Sequence, residues 1–539
     1  MSGRVITIGL DGASLPLIRR WAERGTLPGL ARLLGEGRAG VLRSTMPPFT
    51  ATAWSTIVTG TNPGKHGVFD FRIATVPGGA KSYANARSIR QPKLWSLLSD
   101  GGRSVGFLNF PIGFPPETVR GYMVSGFLTP RGTDNYTYPP ELGTELHREL
   151  GDYVIGVKLP MAGISHEEGM AFLVAMDHQT ELRIAAYDYL EQRFKPDLQF
   201  VVFMAMDQIQ HLYWNLLDEE SGGYGDSREA REMRAVMERI FRRLDAFVAA
   251  RYEDLGDDDI LLIISDHGFG NWRRRFLVNR WLAKHGWLRY QMRRVWGDRI
   301  RHALGLPLTE VERGEADLIG GTLADRSARY IDWERTVAYA SHPSEQAIYL
   351  NLQGRDPQGR LPAANYERVR SEIVAALNQA RDPRSGEPLV RAAYPREELL
   401  HGPHTPCAPD IYLDLGDLPV TPSPNITPHP AVVRDISGPE GGHRPDGLII
   451  AAGARVARGA PLAADAQDIA PTLLHLLDQP VPGHMDGRVL TELLRPEELE
   501  ARPVRLVAGV AAETRGDQVS MTQQEEADLA ESLRSLGYL

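Results

Sequence analysis

Three continuous apolar runs, each closed by an aspartate, constrain this chain more than any other feature. They are Val5–Leu10 before Asp11, Leu198–Met206 before Asp207, and Ile260–Ser265 before Asp266. Runs that do not alternate polar with apolar residues mark strands buried on both faces, as in a parallel sheet covered by helices. In open α/β sheets ligands bind outside the carboxyl ends of the strands, which is where all three aspartates fall. Helical periodicity occupies the intervals. Glu229 to Ala250 carries Met233, Met237, Ile240, Leu244, Phe247 and Val248 at three- and four-residue spacing. Gln467 to Leu477 repeats the pattern through Ile469, Leu473, Leu474 and Leu477. Alternating strands and amphipathic helices predict a layered α/β fold with a central, mostly parallel sheet.

Composition narrows the function classes. A formal net charge of −9 over 539 residues argues against general nucleic-acid coating, which needs a basic domain. The single cysteine, Cys407, excludes a disulfide framework and a thiolate metal cluster, and points to a reducing, cytoplasmic setting. No run reaches the ~20 apolar residues of a membrane helix, and no secretory leader is expected. Residues 112–180, rich in Pro, Gly and Tyr, read as an inserted cap, with a second insertion at about 290–340. Residues 272–302 are basic and aromatic, and read as a strand plus an amphipathic surface helix or as an anionic-ligand surface. The Pro-rich stretch 418–430 is expected to be a loop. The catalytic core is expected over 1–490, with a polar helical tail over 491–539.

The chemistry-bearing residues cluster around the strand ends. Asp207 and His211, in MDQIQH, stand at i and i+4, so a helix starting there puts both on one face. Asp266 and His267 are adjacent in SDHG, and His443 follows two glycines in GGHRPDG, just before the apolar strand Leu448–Ala451. With Asp11 these make six oxygen and nitrogen ligands without sulfur, a set suited to zinc, manganese or iron. Six exceed what one catalytic zinc takes from a protein, and divide into about three for each of two ions. Any one of them alone could be a strand-end cap, a surface histidine or a loop residue. A nucleophile is offered by Thr50, which follows Pro47-Pro48-Phe49 and can open a helix whose N-terminal N–H groups favour an alkoxide and a phosphate. Thr50 could equally be a plain N-cap, and Thr52 is the second candidate.

These motifs together resemble the alkaline phosphatase superfamily, in its type I phosphodiesterase/nucleotide pyrophosphatase branch. The resemblance rests on GLDGAS, TATAWSTIVTGTNPGKHGVFDF, the Asp207/His211 pair, SDHG, GGHRPDG and DIAPTLLHLLDQPVPGHMDGRVL, from residue 5 to 490. It implies an alkaline-phosphatase-like α/β/α sandwich with inserted cap regions. It also implies two divalent metal ions, zinc or in some relatives manganese. Asp11, Thr50, Asp266 and His267 would surround one, and Asp207, His211 and His443 the other. The implied reaction is in-line attack by Thr50 on phosphorus, through a covalent phosphothreonine that water releases. Nucleotide pyrophosphatases place a phosphoryl-binding asparagine where this chain has Phe71, and Asn109, in GFLNFPIGFPP, is the candidate substitute.

Sulfatases share the fold but need a modifiable Cys or Ser nucleophile, which Thr50-Ala51-Thr52-Ala53 cannot supply. The expected function is a phosphodiesterase/pyrophosphatase-type hydrolase of a small-molecule phosphate ester. The alternatives are a phosphomonoesterase or phosphonate-ester hydrolase of the same superfamily, and a catalytically silent metal-binding scaffold. The scaffold reading is disfavoured because all seven site positions are filled.

Overall fold

A computed structural model describes residues 3–74, 76–79, 81–157, 165–221, 225–304, 330–341, 346–424, 431–436, 441–510 and 523–535. Parts of the expected cap (158–164), second insertion (305–329), Pro-rich loop (425–430) and tail (511–522, 536–539) lie outside them. The chain divides into two compact units. One holds Met1–Val68, Ala84–Asn271 and Pro439–Leu536, and the other Phe69–Tyr83, Trp272–Gly438 and Gly537–Leu539.

The first unit is built on a nine-stranded sheet. Its strands in chain order are β1 (Val5–Leu10), β2 (Arg38–Arg43), β3 (Val105–Phe110), β4 (Gly121–Ser125), β5 (Thr137–Tyr138), β6 (Leu198–Phe203), β7 (Ile260–Ile264), β8 (Asp446–Ala452) and β9 (Leu462–Asp465). Their order across the sheet is β9-β2-β8-β7-β1-β6-β3-β4-β5. The three apolar runs are its centre: β1 pairs in parallel with β6 on one side and β7 on the other, Val5 opposite both Leu198 and Ile260. Every residue of these three strands is buried, as unbroken apolar runs require. The sheet is mostly parallel. The main exception is β8, which runs against both β7 and β2. The second run ends earlier than its apolar character predicted, because Ala205 already opens a helix and Met204 to Met206 leave the sheet.

Helices α1 (Thr50–Thr59), α2 (His166–Phe194), α3 (Ala205–Leu217), α4 (Arg228–Glu253) and α5 (Ile469–Leu476) surround this sheet. The periodic face of α4 is buried at Met233, Met237, Ile240, Leu244, Phe247 and Val248. Its Phe247 packs edge-on against Phe203 of β6 and Tyr187 of α2, with ring centroids at 5.3 and 4.9 Å. On α5 the predicted Ile469, Leu473 and Leu474 are buried. Within 112–180 the chain adds β4 and β5 to the sheet and then starts α2, whose Ser165 and Glu168 form a capping box.

Asp245 of α4 ties the helix Pro28–Glu36 to this scaffold. Its buried carboxylate accepts the N–H groups of Gly29 and Leu30 at 2.9 and 2.7 Å, at a helix end where such donors have no intrahelical partner. Asp245→Ala strands both donors and is expected to destabilise the protein by about 2–4 kcal/mol. A urea midpoint within error of wild type would contradict this role.

The second unit has its own core, including Phe276, Trp281, Ile348, Leu350, Ile373 and Leu413. The expected strand and surface helix of 272–302 are the strand Arg274–Leu277 and the helix Met292–Ala303, with the short helix Val278–Lys284 between them. The Pro-rich stretch 418–430 is not all loop: Val420–Ser423 pairs in parallel with Arg274–Leu277. It lies at the edge of its three-stranded sheet, where Pro422 is tolerated because an edge strand can spare an N–H. Among the described residues no helix is long and apolar enough to cross a membrane.

Candidate metal centre and active site

All seven sequence-predicted site residues lie in the first unit, and six are carried on or just beyond the carboxyl ends of β1, β6 and β7 or on α1. Asp11 follows β1, and its Oδ2 accepts the indole N–H of Trp54 at 2.7 Å. Gly12 then turns the chain at φ +66°, and a Cβ there would meet the Asp207 Cβ at 3.0 Å, so two acidic strand ends can approach only because residue 12 is glycine. Gln210 of α3 donates to the Gly12 carbonyl at 2.7 Å and holds this turn. Asp207 sits in the first turn of α3, where the helix dipole favours a carboxylate. The predicted i, i+4 relation holds: His211 Nε2 lies 3.3 Å from Asp207 Oδ1.

His443 arrives from another part of the chain. The strand Gly441–Arg444 pairs antiparallel with Gly268–Asn271, placing His443 opposite Phe269. Gly441 permits this approach, since a Cβ would meet the Gln210 carbonyl oxygen at 2.7 Å. The His443 Nδ1–H donates to the Pro48 carbonyl at 2.7 Å, and the His267 Nδ1–H to the Gly268 carbonyl at 3.0 Å. Each bond fixes the tautomer and leaves Nε2 with its lone pair turned to the carboxylates, the arrangement typical of a metal-ligating histidine.

The resulting cluster is compact and buried. Asp207 Oδ1 lies 3.2 Å from His443 Nε2, which in turn lies 2.9 Å from His211 Nε2. His267 Nε2 lies 3.4 Å from Asp266 Oδ2, 3.6 Å from Asp11 Oδ1 and 3.9 Å from Asp207 Oδ1. Donors at ~2.1 Å around one tetrahedral ion stand ~3.4 Å apart, so these spacings suit shared cations. Asp207, His267 and His443 converge within 4.8 Å, as do Asp11, Asp266 and His267, so His267 stands between two potential ligand groups.

Electrostatics make the same point. Burial pushes the Asp11 carboxyl well above its usual range, and the charges of Asp266 and Asp207 push it further. Burial and then Asp207 raise Asp266 in the same way. Burial opposes ionisation of Asp207 too, but His211 and His443 outweigh it and hold that carboxyl low. Burial, followed by the neighbouring His443, depresses His267, and burial depresses His443. Asp11 Oδ1 and Asp266 Oδ2 are buried without a hydrogen-bond partner. Three buried carboxylates, two of them with an orphaned oxygen, are costly unless positive charge joins them, so the donor set fits divalent cations.

Thr50 borders this cluster. Phe49 is extended, and Thr50 is the first residue of α1, which ends at Gly60 with φ +63°. All ten residues of α1 are buried, so its hydroxyls need partners. Ser55 donates to the Ala51 carbonyl, Thr59 to the Ser55 carbonyl, and Thr56 pairs with His66. Thr50 Oγ1 instead lies 3.4 Å from His267 Nε2. Thr52 Oγ1, the second candidate, has no hydrogen-bond partner. Asn109 is buried at the carboxyl end of β3 with φ +57°, a left-handed conformation that asparagine tolerates better than most residues. Its Oδ1 accepts the Tyr153 hydroxyl at 2.7 Å, and its Nδ2 is left unpartnered. Phe71 is fully buried and offers no hydrogen-bonding group.

Sequence reasoning did not find Trp54, Gln210, Tyr153 or the Pro48 carbonyl. Only Trp54 left a signal, standing four residues after Thr50 on the same helix.

Residues 5–426 match the profile of the type I phosphodiesterase / nucleotide pyrophosphatase family. The chain belongs to that family. His443 lies beyond the matched range, and its place beside Asp207 comes from the structure. Solved structures with the same fold include phosphonoacetate hydrolase from Sinorhizobium meliloti 1021 in complex with phosphonoacetate, at 18% identity, 88% coverage of this chain, 95% of that chain and a TM-score of 0.51. Wild-type alkaline phosphatase PafA matches at 12% identity, 92% coverage of this chain, 100% of that chain and a TM-score of 0.52. At these identities the likeness shows the alkaline-phosphatase-like fold alone. No curated protein matches the chain at a significant level.

Proposed function

We propose that this family member is a two-metal phosphoesterase, acting chiefly on phosphodiesters through Thr50. Asp11, Thr50, Asp266 and His267 would hold one divalent cation, and Asp207, His211 and His443 the other, with zinc expected and manganese the alternative. The observation that carries the reading is the convergence of three buried carboxylates and three imidazoles on one helix N-terminus bearing a threonine hydroxyl. Three carboxylates and a threonine alkoxide carry four negative charges, which two divalent ions neutralise.

Bound cations would lower the pKa of the Thr50 hydroxyl and offset charge on the phosphoryl and leaving oxygens. The chain supplies the rest. As the alkoxide, Thr50 Oγ1 forms the new bond to phosphorus, its proton having passed to solvent, while the bond to the departing alcohol oxygen breaks. Water then cleaves the phosphothreonine and restores the hydroxyl. The first N–H groups of a helix have no intrahelical partner, and those of α1 would be available to a phosphoryl oxygen bonded to Thr50. Burial keeps His443 and His267 neutral and their Nδ1–H bonds orient them, so they would act as ligands and not as acids.

Asn109 Nδ2 would donate to a non-bridging phosphoryl oxygen, the task for which Phe71 has no group. The test substitution is Asn109→Gly, which keeps the left-handed backbone accessible. It is expected to lower kcat/KM about 10²-fold, as for loss of one preorganised donor. A change below threefold would remove Asn109 from the site. We also place the segment 112–180 over the substrate as a cap, and the protein in a reducing compartment.

The direct test strips the metals, restores zinc or manganese, and compares nitrophenyl diester, monoester and phosphonate ester as substrates. Metal-dependent cleavage with the diester fastest supports the reading. Faster monoester or phosphonate cleavage would select those alternatives, and two bound metals without turnover of any ester would select the silent scaffold.

A further inference from the structure

Gln208, the neighbour of Asp207 on α3, lines a cavity of about 310 Å³. Thr129, Tyr136 and Tyr153 form other parts of its lining, and Asp528 and Leu529 of the C-terminal helix Gln523–Ser535 complete it. Among the described residues Gln208 Oε1 and Thr129 Oγ1 find no hydrogen-bond partners, at residues only 3% and 6% exposed. Tyr153 joins this lining to the site, since its hydroxyl donates to Asn109, whose Nδ2 is a third unpartnered buried atom. Folded proteins leave few polar atoms in this condition, and two on residues lining one cavity, with the third one hydrogen bond away through Tyr153, mark a place where a ligand supplies the partners.

The chemistry of those atoms selects the ligand. Gln208 Oε1 can only accept, so it needs an O–H or N–H. Thr129 Oγ1 can give or take a hydrogen bond. The charged lining residues are Asp134 and Asp528 against Arg131, a balance that disfavours a second anionic group such as another phosphate. The volume is at the small end for ligand pockets, enough for a sugar-sized group and too small for paired lipid chains.

We propose that this cavity receives the alcohol portion of the phosphate ester, an uncharged polyol such as a glyceryl or glycosyl group, with Gln208 Oε1 and Thr129 Oγ1 bonding its hydroxyls. The proposal rests on the phosphoesterase reading and adds its substrate class. It makes Gln208 and Thr129 specificity-determining residues, and makes the C-terminal helix one wall of the substrate site.

The test compares two diesters with the same nitrophenyl leaving group, one carrying glycerol and the other propanol as the second alcohol. Wild type is expected to prefer the glyceryl ester at least tenfold in kcat/KM, mainly through KM, because unpaired buried polar groups penalise the analogue that lacks hydroxyls. In Gln208→Met with Thr129→Val the ratio is expected to fall to within twofold. If the double variant does not fold, Thr129→Val alone is expected to lower it at least threefold. Calorimetric titration of Thr50→Ala protein with both esters repeats the comparison without turnover. Equal efficiency and equal binding of the two esters by protein with the wild-type cavity overturns the cavity assignment and leaves the phosphoesterase reading intact. Tighter glyceryl binding with no hydrolysis by the metal-loaded wild type supports the cavity and overturns the phosphoesterase reading.

Discussion

Thr50→Ala is expected to lower phosphodiester hydrolysis at least about 10³-fold, the scale on which loss of an attacking group acts. The substitution removes one oxygen and leaves the helix intact, since alanine is a better helix former than threonine and Thr50 makes no back-bond to its own helix. The folded protein should keep the thermal midpoint of the wild type within a few degrees when both are metal-free. Thr52→Ala is the informative partner. Thr52 Oγ1 is buried and unpartnered, so its removal relieves an unsatisfied group and is expected to change the rate less than tenfold. The reverse pattern, with Thr52→Ala inactive and Thr50→Ala active, would transfer the nucleophile two residues along α1.

Stripping the metals is expected to have the largest effect on stability. The metal-free protein retains Asp11, Asp207 and Asp266 in a fully buried cluster in which Asp11 Oδ1 and Asp266 Oδ2 are orphaned, whereas ions bound only to the folded state stabilise it by mass action. At a thousandfold excess over Kd one site contributes about 4 kcal/mol. Thermal melts with and without a chelator should therefore separate by many degrees. Asp266→Asn is expected to narrow that gap from both sides. It removes one buried like charge from the metal-free cluster while its amide oxygen can still accept the Gly12 N–H, and it weakens the loaded state by removing an anionic ligand. A chelator-independent midpoint in the wild type would contradict a structural debt to metal at this site.

The residues that could be read from the sequence are those whose role follows from a single strand or a single helix turn. An unbroken apolar run ending in aspartate specifies both a buried parallel strand and a carboxylate at its ligand-binding end, as at Asp11 and Asp266. The i, i+4 spacing likewise specified that Asp207 and His211 share a face. Residues whose role depends on distant backbone were not legible. The Pro48 carbonyl orients His443 from 395 residues away, and nothing local to either residue announces it. Tyr153 reaches Asn109 across 44 residues, through a hydroxyl that could have served anywhere on the surface. The strand at Val420–Ser423 was hidden by its own proline, because edge position, which makes proline acceptable, is a property of the assembled sheet.

We propose the buried cluster of Asp11, Asp207, His211, Asp266, His267 and His443 as a two-cation centre. Elemental analysis of the purified, dialysed protein, with Asp207→Ala beside it, tests this most directly. Two zinc or manganese ions are expected per wild-type chain, and one per chain in Asp207→Ala, which loses the carboxylate of the His211/His443 group. Wild-type protein that holds no stoichiometric metal after incubation with zinc or manganese would contradict it.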